Sequence, residues 1–159
     1  MTEQEEAYVH FVDCMECLDR AWTLLKSVGG ADPKSPLMSA AHELALIEYA
    51  KPFKASEGEH SRRYKWPEPK LPEKDMELHN KIIRLRDKVL AHSDLTVKEA
   101  QLYVSQSEGK PIMTVISNIR EQLPPVDEVV ALIEHLLRDA YEELQRRDYE
   151  LAMTPEQAR

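Results

Sequence analysis

The sequence predicts a mainly α-helical protein, a bundle of four to five helices with a small β-hairpin between the third and fourth main helices. Three observations lead there. Apolar residues recur at spacings of three and four along four long segments, the period that lays one stripe along a helix. Glycine is scarce, with 4 residues, and most of the 10 prolines fall between the periodic segments, where they act as breaks. One stretch, 101–117, instead carries alternating or β-branched residues, which suit a strand pair. At 159 residues the chain can bury a real core within one domain covering 1–159.

The first helix is expected over about Glu3 to Val28. Phe11, Met15, Leu18, Trp22 and Leu25 share a stripe, Thr2 and Glu5 have capping-box spacing, and Gly29-Gly30 ends the run. The second starts at Ser35-Pro36, a helix-entry signal. It carries Leu37, Ala41, Leu44, Ala45 and Ile47 on its expected buried side, and Pro52 limits it. Residues 55–72 are charged and proline-rich, which predicts a long polar loop whose length makes it functional or mobile. The third helix is expected over about Glu73 to Ala91. The fourth spans about Val126 to Leu151, where Val129, Val130, Ile133, Leu136, Leu137, Ala140 and Leu144 recur at helical spacing. Between them, QLYVS and PIMTVIS flank the turn residues SEGK. A short helix from Val97 through Gln101 competes with the first strand, because Thr96 and Glu99 also have capping-box spacing.

Composition narrows the function. A net charge of −8 argues against a general duplex-DNA binder, whose affinity comes from many cations neutralising phosphates, but leaves room for a local basic site. The start MTEQEEAYVH lacks the regions of a secretory signal, and no run of eighteen apolar residues occurs, so a cytoplasmic protein without a membrane partner is expected. Cys14 and Cys17 form a lone CMEC on a helix. With no second pair to complete a zinc site, they read as buried free thiols. His10, Asp13, His42, Glu43 and His79 include no Glu-x-x-His pair of the kind di-iron bundles use, and no phosphate loop or nucleophile elbow occurs. Neither a metal nor another cofactor is therefore expected.

The most informative stretch is RLRDKVLAHSD, Arg84 to Asp94. With about 100° of rotation per helical residue and Ile82 at zero, Leu78, Leu85 and Val89 lie within about 60° on one side, and Ile83 and Leu90 within about 100° on the other. Glu77, Asn80, Lys81, Arg84, Asp87 and Lys88 fall opposite. Arg86 lies at about 40° and His79 near 60°, inside the apolar half. A guanidinium placed there needs an anion or an opening. One reading packs its stem on the core with its head in water, or pairs it with Glu43, Glu48 or Asp75; the other makes it a binding group. His92, about 120° further round on an ideal helix, either interacts with a helix C-terminus or exchanges protons near neutrality.

The string RDKVLAHSD resembles the signature of HEPN domains, in which Arg, usually followed by a polar residue, precedes His by four to six intervening residues. Here Asp87 is the polar residue, five residues separate Arg86 from His92, and AHSD resembles the abortive-infection-like branch, in which Asp follows the His closely. The resemblance implies a HEPN-like bundle that dimerises with two motifs facing one another. It often implies a metal-independent endoribonuclease, here a toxin-antitoxin or phage-defence effector with an antitoxin-like protein partner. In that chemistry the RNA 2′-hydroxyl attacks its own phosphate. His92 would be the general acid or base, and Arg86 would stabilise the phosphate. Asp87, Ser93 and Asp94 would support them, Asp87 orienting Arg86 and Asp94 fixing the His92 tautomer; both carboxylates also read as solvated groups. The alternatives are a noncatalytic nucleotide- or RNA-binding module and a structural or regulatory homodimer.

A second candidate is RRYKW: Arg62, Arg63, Tyr64, Lys65 and Trp66 interleave cations and rings as a single-strand RNA surface does. An exposed loop anchored by one Trp shows the same pattern.

Overall fold

The computed structural model describes residues 1–32, 35–58, 62–90, 98–107, 109–119 and 123–153. Helix α1 spans Glu3–Ser27, and its amino end is closed by the predicted capping box: Thr2 Oγ1 accepts from Glu5 N at 3.2 Å, and Thr2 N donates to the Glu5 carboxylate at 2.7 Å. Phe11, Met15, Leu18 and Leu25 are buried as the spacing predicts, together with Cys14, Cys17 and Ala21. Past the helix end the chain reverses through Gly30 at φ +89°, a conformation that disfavours any Cβ.

Helix α2 covers Pro36–Ala50 and runs into one 3-10 turn, Lys51–Phe53. Its buried side differs from the predicted one. Ala41 and Ala45 are buried, but Leu37 and Leu44 are 71% and 45% exposed, and the core is instead met by His42, Leu46 and Tyr49. The large Tyr49 and Leu46 side chains set the rotation of a helix whose alanines suit several faces.

The 55–72 stretch, expected as a polar loop, contains a short antiparallel pair. Strand β1, Ser56–Glu57, pairs with β2, Arg63–Tyr64, in the register Ser56↔Tyr64 and Glu57↔Arg63. Helix α3 spans Glu73–Leu85 and passes into a single π-helical turn, Arg86–Leu90. Strands β3, Lys98–Ser107, and β4, Lys110–Ile119, form an antiparallel hairpin, longer than the predicted 101–117. Residues 98–101 are therefore strand rather than the competing short helix. The hairpin turns at Gly109, φ +77°. Helix α4, Val126–Ala152, buries Val129, Ile133, Leu136, Leu137 and Ala140 as predicted, and also Leu132.

The four helices form one bundle in which α1 packs against α2 and α4, while α3 meets both α2 and α4. Leu18, Leu25, Leu46, Ile82, Leu85, Leu132 and Ile133 lie at its centre, essentially without solvent contact; burying a side chain of this kind stabilises by about 1.5–3 kcal/mol. Among the described residues no helix is long and apolar enough to cross a membrane.

Candidate functional site

Arg86 opens the π turn, and its backbone N–H is shared between the carbonyls of Ile82 and Ile83. The wider turn carries the guanidinium to the rim of the bundle, where its side chain keeps 29% exposure. Nη1 donates to Asp87 Oδ1 at 3.0 Å. The other oxygen of Asp87 accepts from Lys54 Nζ, just past the 3-10 turn that follows α2. Burial opposes ionisation of Asp87, but the hydrogen bonds from Lys54 and Arg86 outweigh it and hold the carboxyl below its usual range. Two cations thus share one carboxylate where α2 and the π turn meet.

Arg86 Nε is buried and has no hydrogen-bond partner among the described residues. A desolvated donor on a charged group is costly to leave without an acceptor, and π turns are rare and occur frequently at functional sites. An anionic oxygen placed against Nε would satisfy it. The acidic partners considered from the sequence lie elsewhere: Glu48 binds Arg20 and Lys51, Glu43 accepts from Ser39, and Asp75 faces His135 at 3.5 Å. The partner is the adjacent Asp87. Lys54 was not among the sequence candidates, because nothing local in the sequence joins positions 54 and 87. His92, Ser93 and Asp94 lie outside the described residues.

His79, placed by periodicity on the same face as Arg86, is a core residue. It is buried, lies 2.8 Å through Nδ1 from the Tyr49 hydroxyl, and meets the Phe53 ring edge-on at 4.5 Å. Burial lowers its pKa. His79 therefore tightens the bundle beneath the Arg86 site and marks no open face on α3.

The chain matches no protein-family model, no curated protein and no solved structure.

The segment Arg62 to Trp66 turns alternate side chains toward α1. Arg62 and the Tyr64 hydroxyl both bind the buried Glu6 carboxylate, at 3.1 and 2.9 Å. Trp66, also buried, stacks on Phe11 with ring centres 4.7 Å apart. Arg63 and Lys65 are exposed. The two rings are thus held against the bundle, and the outward side chains of this segment are cations. Gly58 closes the strap: a Cβ there would overlap a Glu6 carboxylate oxygen and crowd the Tyr64 ring.

Two other groupings lie apart from Arg86. Cys14 and Cys17 are free and buried, and burial pushes the Cys14 thiol up to about 12. A groove of about 540 Å³ between α1 and α2 is lined by Glu16, Asp19, Arg20, Leu44 and Glu48 and does not include Arg86. Its arginine is already bound to Glu16 and Glu48.

Proposed function

We propose that this protein is a HEPN-like, metal-independent endoribonuclease acting in toxin-antitoxin or phage defence, with Arg86 holding the scissile phosphate. The observation that supports this most is the buried Arg86 Nε with no partner among the described residues, at a π turn that precedes His92 in the sequence. A phosphate oxygen is the acceptor such a donor lacks, and the planar guanidinium suits it. In this reading Arg86 stabilises charge building on the phosphorus while His92 moves the proton of the 2′-hydroxyl or of the leaving oxygen. Two copies in a homodimer provide both proton transfers, and an antitoxin-like protein holds the effector in check. Asp87 orients Arg86 by the bond described above.

One observation favours a second reading, a module that holds RNA or nucleotide phosphate without cleaving it. Asp87 already neutralises part of the charge of Arg86 and Lys54, which suits reversible binding as well as catalysis.

Cleavage of single-stranded RNA by the purified protein tests the two together. His92→Ala should lower cleavage by about two to four orders of magnitude while RNA binding survives. Arg86→Ala should weaken both, and Arg86→Lys should restore only part. RNA lacking the attacking 2′-hydroxyl should stay intact, and chelators should have no effect. Binding without cleavage by the wild type selects the second reading. Neither binding nor cleavage, with His92→Ala dissociating a dimer or lowering its stability, replaces both with a structural or regulatory homodimer.

A further inference from the structure

The strand β3 has the alternation of a half-buried sheet, but over residues 101–107 and 109–115 both faces of the hairpin β3–β4 are in solvent. In an antiparallel ladder, residues directly opposite share a face and neighbours along a strand alternate. The register therefore puts Leu102 beside Val115 and Val104 beside Met113 on one face. The other carries Tyr103 beside Thr114 and Ser105 beside Ile112. The first face is continuous aliphatic surface, and its four residues are 62%, 65%, 64% and 69% exposed in the order named. Neither strand packs closely on any helix among the described residues. An isolated two-stranded hairpin is marginally stable in water, and a one-residue slip would exchange its two faces. The alternation along β3, with Leu102 and Val104 on one face and Tyr103 and Ser105 on the other, and the all-aliphatic first face therefore point to something that covers that face.

We propose that the face Leu102, Val104, Met113 and Val115 is a docking surface for the same face of a second copy of this chain, the two hairpins stacking sheet on sheet. Area, charge and composition select that occupant. Four aliphatic residues exposed to this degree present on the order of 400–500 Å², the size of the largest apolar patch on a typical monomer, which is often functional. Two such faces together remove on the order of 800–1,000 Å², which with the flanking hairpin surface reaches the lower bound for a specific interface. The chain as a whole carries −8, which keeps copies apart over most of their surface. Residues 98–119 hold two Lys and two Glu and are neutral, so copies meet there without repulsion. A face with no charge at its centre resembles homodimer interfaces, which are more apolar than surfaces meeting transient partners, and like faces pair about a two-fold axis. The apolar face of α3, by contrast, already lies in its own bundle through His79, Ile82 and Leu85.

The test is the mass of the full-length protein in solution, followed by light scattering and sedimentation over a range of concentrations. The wild type should have twice the 18.4 kDa chain mass at about 10 μM, and raising the salt should tighten the dimer, because screening removes charge repulsion and leaves apolar contact. Val104→Lys with Met113→Lys should raise the dissociation constant at least ~100-fold, leaving a monomer with unchanged helical circular dichroism. Ser105→Lys with Thr114→Lys, on the opposite face, should leave the dimer intact. A wild-type monomer at that concentration overturns the proposal. So does a dimer that survives the first pair of substitutions, or one that the second pair dissociates as readily. Failure of RNA cleavage leaves it standing, since the hairpin face is argued without reference to the Arg86 site.

Discussion

Tyr49→Phe removes one oxygen from the centre of the bundle, and its effect follows from the geometry around His79. Tyr49 has no solvent exposure, its hydroxyl lies 2.8 Å from His79 Nδ1, and Phe53 covers the imidazole edge-on. Burial pushes the Tyr49 phenol far above its ordinary range and lowers the His79 pKa, so both rings are neutral at working pH. Deleting the hydroxyl leaves a buried ring nitrogen without its partner, which costs about 1–3 kcal/mol. For a chain of this size each kcal/mol lowers the melting temperature by about 2–4 °C, so a fall of roughly 2–12 °C is expected by calorimetry. Replacing both partners, Tyr49→Phe with His79→Leu, should destabilise less than the two single changes added together, because no polar atom is then stranded. A Tyr49→Phe melt within about 1 °C of wild type, or strict additivity in the double variant, would refute the reasoning.

Further outcomes follow from the same physics. Burial lowers the pKa of His10, His42 and His79, so the unfolded chain protonates first. Stability should be intact above about pH 6.5 and decline as pH falls through that value toward the folded pKa values, read by denaturant titration at several pH values. His79→Leu should make that decline shallower. Gly58→Ala should push the Glu6 carboxylate out of its site at a cost of about 1–3 kcal/mol, with red-shifted Trp66 emission as the strap loosens. Cys14 should resist a thiol reagent at neutral pH in the native protein and react on unfolding, since its thiolate is suppressed by burial.

The long helices were legible because their stripes are built from large apolar residues: Phe11, Leu18 and Leu25 in α1, Ile133 and Leu136 in α4. Helix α2 was misread at Leu37 and Leu44 because alanines on several sides make more than one rotation plausible, and only the packing of Tyr49 decides. In RRYKW the alternation was real. Its cause is an extended segment whose even-numbered side chains, Arg62, Tyr64 and Trp66, meet α1 while Arg63 and Lys65 point outward, and composition alone does not say which face is covered. Around Arg86 the sequence placed the guanidinium inside the apolar half, but neither Lys54 nor the π turn that carries it to the rim leaves a local signal. Both depend on how α2 approaches the end of α3.

The π turn at Arg86–Leu90 is in effect a phase shifter. It takes up about one residue more than an α turn, so the helical phase reached at Leu90 trails the one an ideal α-helix would give. Spacing in a motif of this kind is a ruler whose divisions stretch. Deleting the exposed Lys88 would return the turn to α geometry while Ile82 and Leu85 stayed where they are, and it would rotate the end of the turn by about 100°. One residue added or lost in these five thus resets the phase at which the helix ends, while the core residues that precede it keep their places.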